Sequence, residues 1–145
     1  MRGIDVYHGD GWPLKPVPAK AYKESDFVIV KATQGVSYKY TDYFGKMMKK
    51  AISDGKLIGA YHYAAGNDAV KEADYFLSVV KDYVGKAILC LDWESMQNKA
   101  WGSKTWCEKF IKRIKEKTGV TCFLYTGTDG MKQCASLAGK VPLWF

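Results

Sequence analysis

Apolar and polar positions along the chain follow two alternating periods. Continuous apolar runs rich in β-branched and aromatic residues lie at 3–8, 27–33, 57–63, 87–94 and 120–126. Such runs predict strands buried on both faces. Between them, apolar residues recur at helical spacing. Phe44, Met47, Met48 and Ala51 do so over 42–53, Ala73, Phe76, Leu77 and Val80 over 69–83, and Trp106, Phe110, Ile111 and Ile114 after Ser103. These stripes predict amphipathic helices. Thr41 and Ser103 suit N-caps, and Gly55 and Gly119 suit the residue just past a helix end. Shorter helices are predicted over 19–24 and 128–137, with loops at 9–13 and 34–37. A last strand-like stretch, 141–145, reads Val-Pro-Leu-Trp-Phe. Strands alternating with helices imply βα units, right-handed crossovers and a parallel sheet, an α/β fold.

The polar residues of the strands add chemistry to this frame. Asp5, Tyr7, Lys31, Tyr61, His62, Asp92, Glu94 and Tyr125 all lie at or just after predicted strand C-termini. In parallel α/β sheets that edge is where sites assemble. The run Leu91-Asp92-Trp93-Glu94 is the sharpest case. Residues i and i+2 of a strand share a side, so Asp92 and Glu94 project together and Trp93 points away. Close like charges and burial raise the proton affinity of such a pair. The result is a proton donor beside an anion, which glycoside hydrolysis uses. The competing reading is a strand that has surfaced, with both acids solvated. Asp5 joins the pair if the first strand neighbours the fourth. Lys31 and Gln34 suit the second strand's end of a pocket, and Tyr125 and Trp144 suit its wall, although core packing accounts equally well for these aromatics. Tyr61 and Tyr63 point the same way, which turns His62 to the opposite side unless the strand kinks. His62 is counted with the substrate-binding residues, with a packed core histidine as the rival reading.

Composition narrows the options. The chain has 145 residues, 48% of them hydrophobic and 14% aromatic, which fits one globular domain rather than a disordered segment. A net charge of +7 favours an anionic partner such as a cell wall, nucleic acid or an acidic membrane surface. The lysines are scattered over helices, and only Arg2 and Arg113 supply guanidinium groups, which argues against nucleic-acid recognition. No glycine-rich phosphate loop is present, so a nucleotide enzyme is excluded. Cys90, Cys107, Cys122 and Cys134 lack metal-ligand spacing, which argues against a zinc site, and read as free thiols made in a reducing compartment. No stretch reads as a signal peptide or a membrane span.

The ordered motif set resembles one known family. Gly3-Ile4-Asp5-Val6, Lys31-Ala32-Thr33-Gln34-Gly35, Gly59-Ala60-Tyr61-His62-Tyr63, Leu91-Asp92-Trp93-Glu94, Tyr125-Thr126 and Pro142-Leu143-Trp144 fall in the order and approximate spacing of family 25 glycoside hydrolases. These are N-acetylmuramidases, or lysozymes, of bacteria, phages and fungi. The resemblance implies an irregular (β/α) barrel with its site at the strand C-termini, here with about six parallel strands and without the family's last strands. It implies cleavage of the β-1,4 bond between N-acetylmuramic acid and N-acetylglucosamine in peptidoglycan. By the same resemblance Glu94 is the acid/base, Asp92 assists through the 2-acetamido group, Asp5 holds substrate or tunes the other two, and no metal or organic cofactor is needed. An open C-terminal edge implies self-association. Release to the cell wall without a signal peptide, as for a phage enzyme, is the expected localisation. Two other functions fit the same residues: a non-catalytic wall-binding fragment, and a chitinase-like hydrolase.

Overall fold

In the computed structural model, residues 1–7, 17–39 and 41–144 are described. The loop expected at 9–13, the side chain of Thr41 and the last residue of the 141–145 stretch lie outside them. The elements are β1 (Gly3–Val6), α1 (Ala19–Glu24), β2 (Phe27–Gln34), β3 (Tyr38–Lys39), α2 (Thr41–Ser53), β4 (Leu57–Tyr63), α3 (Ala69–Val80), β5 (Ile88–Asp92), α4 (Lys104–Thr118), β6 (Phe123–Tyr125), α5 (Thr128–Gln133) and β7 (Leu143–Trp144). The sheet runs β1-β2-β4-β5-β6-β7, every neighbouring pair parallel, and β3 adds antiparallel to β2. The six parallel strands curl into half of an α/β barrel.

Burial on two faces explains why the strands read as continuous apolar runs. Val28, Val30, Ala32, Ala60, Leu89 and Leu91 point outward into the main core, which α2, α3 and α4 cover. On the concave face Ile29, Tyr61 and Cys90 form a smaller cluster with Phe27, Phe123, Tyr125 and Trp144 against it. The helices end as their sequences dictate. Ser103 Oγ accepts from the Trp106 N–H at 3.3 Å, and Gly119 closes α4 at φ 71°. Gly55, at φ 69°, lets Lys56 N–H reach back to the Ala51 carbonyl at 2.9 Å.

Several boundaries are tighter than the sequence pattern indicates. The strand expected over 87–94 stops at Asp92, leaving Glu94 beyond the ladder. Residues 120–122 do not pair, and β6 joins β5 only where Phe123, Leu124 and Tyr125 meet Cys90, Leu91 and Asp92. The helix expected through Tyr83 tightens into a 3₁₀ turn over Lys81–Tyr83, whose Tyr83 carbonyl accepts from both Lys86 and Ala87 N–H and turns the chain into β5. The extra strand, β3, falls just after the loop expected at 34–37.

Behind the sheet runs a continuous stack of rings. His62 lies on Phe110 with centroids 5.0 Å apart, Phe110 on Trp106 at 5.6 Å, Trp106 on Trp93 at 5.3 Å, and Trp93 on Trp101 at 5.5 Å. The stack joins β4 to β5 through α4. Phe110 sits inside it and is fully buried, so Phe110→Ala should lower stability by ~3–5 kcal/mol. The urea midpoint measures this, and an unchanged midpoint would mean the stack carries no weight.

Candidate active site

The cleft at the carboxyl ends of the strands has a volume of about 430 Å³ and brings together Asp5, Asp92 and Glu94 with Lys31 and Gln34, walled by Tyr7, Tyr61, Tyr125 and Trp144. Tyr63, Met96 and Gln97 complete its lining. All the acids expected to meet do so, although β1 and β5 are not neighbours: β2 and β4 lie between them. Curvature of the sheet, rather than adjacency, converges Asp5 on the pair.

Local backbone decides which β2 residues reach the cleft. Lys31 and Gln34 are three apart, a spacing that alternation would send to opposite faces. The β2–β4 register pairs Lys31 with Tyr61 but Thr33 with His62, a bulge at Ala32. The bulge lets Ala32 and Thr33 both face the helices and returns Gln34 to the cleft side. Lys31 Nζ then donates to Gln34 Oε1 at 2.9 Å and lies 4.5 Å from the ring centroids of both Tyr7 and Tyr63.

Two residues past β5, Glu94 still lines the cleft because the ladder is extended by irregular bonds. Trp93 N–H donates to the Tyr125 carbonyl at 2.9 Å, and the Trp93 carbonyl accepts from Thr126 Oγ1 at 2.6 Å. Asn98 Nδ2 donates to the Glu94 carbonyl at 3.0 Å, and Tyr63 Oη donates to the Met96 carbonyl at 2.7 Å.

The acids occupy different depths. Asp92 is 8% exposed, whereas Glu94 is half-buried nearer the mouth. Burial, reinforced by the neighbouring Glu94 and Asp5 charges and opposed by Lys31, raises the Asp92 pKa to about 8. Asp92 Oδ1 is buried without a hydrogen-bond partner among the described residues. Burial lowers the Lys31 pKa to about 8 against the pull of Asp92 and Glu94. Burial, with the Glu94 and Asp92 charges, pushes the Tyr63 phenol up to about 12 and raises Tyr61 and Tyr125 too. At neutral pH these phenols are donors and the deep carboxyl holds a proton. Among the described residues no cluster of His, Cys, Asp and Glu could hold a metal ion.

His62 is a correction. Its assignment to substrate binding fails because the strand does not kink, so the imidazole turns to the helix side and is fully buried. Its Nδ1 lies 2.8 Å from Thr33 Oγ1 and its Nε2 lies 2.7 Å from Glu72 Oε2. Burial lowers the His62 pKa, so the ring is the neutral tautomer between a hydroxyl and a carboxylate. Of the residues not singled out as site residues, Tyr63 was legible from its i+2 relation to Tyr61. Met96 and Gln97 sit in an aperiodic loop and carried no signal.

Carboxyl groups at several depths of an aromatic-walled cleft, at the strand C-termini of an α/β half-barrel, have the architecture of a barrel-type glycosidase. The family model for glycosyl hydrolases family 25 matches residues 4–145, and the chain belongs to that family. It is 30% identical over 151 aligned residues to the autolytic lysozyme of Clostridium acetobutylicum, covering 99% of this chain and 44% of that protein. It is 28% identical to the N,O-diacetylmuramidase of Chalaropsis sp, covering 74% of this chain and 58% of that one. The muramidase of Acremonium alcalophilum superposes with a TM-score of 0.73 at 29% identity, over 99% of this chain and 74% of that one. The chain spans about half the length of the curated relatives it matches.

The raised Asp92 pKa has a consequence for stability. A carboxyl protonated in the fold but ionised above ~4 in the unfolded chain destabilises progressively as pH rises between those values. Asp92→Asn removes that penalty. Its stability advantage over the unsubstituted chain, read from urea midpoints, should be near zero at acidic pH and grow by about 1.4 kcal/mol for each pH unit between about 4 and 8. A difference independent of pH would remove the raised Asp92 pKa.

Proposed function

We propose that the chain carries the muramidase activity of a peptidoglycan hydrolase, cleaving the β-1,4 bond between N-acetylmuramic acid and N-acetylglucosamine. The observation that carries this reading is the meeting of Asp92 and Glu94, with Asp5, in one aromatic-walled cleft. The names of the lysozyme and muramidase relatives support the substrate class.

Glu94, nearer the mouth, protonates the departing glycosidic oxygen. Asp92 serves from below. Its carboxylate lines the cleft and accepts the N–H of the sugar's 2-acetamido group, which favours the ionised form of Asp92 and passes the pair's proton to Glu94. The resulting Asp92 charge orients the acetamide and stabilises the oxocarbenium-like transition state. Asp5 flanks this pair and helps keep a proton on it. Tyr7, 52% exposed at the rim, and the Tyr125–Trp144 pair, whose centroids lie 4.8 Å apart, offer ring faces to the sugars. Lys31 and Gln34 offer polar contacts, and Tyr61 packs beneath them. The work of such an enzyme is at the cell wall, and no described helix is long and apolar enough to cross a membrane.

Self-association belongs to the same proposal. Among the described residues β7 pairs on one side only, and an apolar groove reaches it, lined by exposed Met1, Leu57, Ile88 and Leu143 beside Phe27 and Phe123. Light scattering should report a mass that rises with concentration, and a constant monomer mass removes this part.

The catalytic test is release of new reducing ends from purified cell walls. Glu94→Gln should lower the rate roughly 10²–10⁴-fold without loss of fold. Equal rates for both proteins would take Glu94 out of the reaction. Wall binding without reducing ends would favour a binding fragment, and release from chitin oligomers alone a chitinase-like hydrolase.

A further inference from the structure

Among the described residues, Gln97 is the one non-glycine with a positive φ, at 58°. A side chain there is disfavoured in a way glycine is not. The loop around it explains how the conformation is held. On one side the Met96 carbonyl accepts from Tyr63 Oη at 2.7 Å. On the other, Asn98 donates through Nδ2 to the Glu94 carbonyl and Lys99 N–H donates to the Ala65 carbonyl at 3.0 Å. Gln97 is thus caught between two fixed points, with its side chain on the cleft.

What the left-handed turn achieves is a directed chain of amides. Gln97 Oε1 accepts from Gln34 Nε2 at 2.9 Å, and Gln34 Oε1 accepts from Lys31 Nζ at 2.9 Å. A carboxamide offers its oxygen on one side and its NH₂ on the other, so fixing the far end fixes which face Gln34 turns to Lys31. Lys31 is 6% exposed, and its charge acts on both Asp92 and Glu94. A buried ammonium on a flexible four-carbon stem needs such a guide to hold one position.

We propose that Gln97 is a positioning residue that acts through Gln34 to hold the Lys31 ammonium in the cleft that it shares with Asp92 and Glu94. The left-handed backbone at 97 is the local cost of that reach. This inference rests on the hydrolase reading for its kinetic consequences and on geometry alone for its structural ones.

The test uses the whole chain with Gln97→Gly, Gln34→Ala and the double variant, each read in three ways. Gln97→Gly should melt no lower than the unsubstituted chain, because glycine relieves the positive φ. Its kcat on cell walls should nevertheless fall about fivefold or more with KM within about twofold, and the double variant should be no slower than Gln34→Ala alone. Unchanged kcat in Gln97→Gly, or losses that multiply in the double variant, would overturn the proposal.

The third reading does not depend on turnover. Lys31 Nζ lies over the Tyr7 and Tyr63 rings, so its ¹³Cε–¹H resonance, assigned by its disappearance in Lys31→Met, should be ring-current shifted. In Gln97→Gly and in Gln34→Ala it should move toward the position of solvated lysines. A resonance that stays in place overturns the proposal even if activity falls. If the unsubstituted chain releases no reducing ends, the hydrolase reading fails and the resonance alone decides the role of Gln97.

Discussion

The site depends on the burial of Trp93. Its indole is fully buried behind the sheet, stacked between Trp101 and Trp106, and its Nε1 donates to Gln133 Oε1 at 3.0 Å. Its N–H and carbonyl are each bonded to the Tyr125–Thr126 segment. With Trp93 locked on one side, the residues flanking it have only the other side to occupy. Burying a tryptophan removes ~150–250 Å² from water, worth about 4–6 kcal/mol. The unpartnered Asp92 oxygen costs about 1–3 kcal/mol. Trp93 therefore outweighs the penalty of crowding carboxylates onto one edge, and it does so with a residue that never touches the cleft.

Two deeply buried carboxylates on this scaffold meet opposite fates, and hydrogen bonding separates them. Burial alone would raise Glu72, as it raises Asp92. Glu72, however, accepts from Asn67 N–H at 2.7 Å, from Asn67 Nδ2 at 3.0 Å and from Ala65 N–H at 3.2 Å, and it pairs with His62. Together these bonds outweigh desolvation and hold its carboxyl below the usual range. Asp92 Oδ1 has no such partner among the described residues, and Asp92 keeps its proton to about pH 8. A satisfied buried acid is structural, fixing the turn after β4. An unsatisfied one holds its proton instead.

Periodicity made much of this legible. Asp92, Trp93 and Glu94 alternate as a strand requires, and the placement of Asp5, Tyr61 and Tyr125 at strand ends followed from the βα pattern. Lys31 and Gln34 were named together from their position after a strand, yet the bulge that lets both face the cleft has no signature in Lys31-Ala32-Thr33-Gln34. His62 was misassigned by its proximity to Tyr61, although strand parity pointed it away. Its partner Glu72 lies ten residues on, across a loop and on a helix, a separation that periodicity does not read. Gln97 was invisible because a loop's backbone is set by tertiary bonds such as Tyr63 to Met96.

The concave face also shows why the proton affinity rises at Asp92 in particular. Along the ladder the row below it runs Lys31, Tyr61, Cys90 and Phe123, with Tyr61 and Phe123 flanking Cys90, and Ile29 lies one row lower, opposite Gly59. A Cβ at Gly59 would stand 2.9 Å from Ile29 Cγ1, so glycine there lets the isoleucine fill the concave side. These side chains, with Phe27 and Trp144, exclude water from beneath Asp92. Glu94, two residues on, has risen past the apolar row to the rim. The segment from Asp92 to Glu94 thus crosses from a dry floor to a wet mouth within three residues, which sets two carboxyl groups in different surroundings.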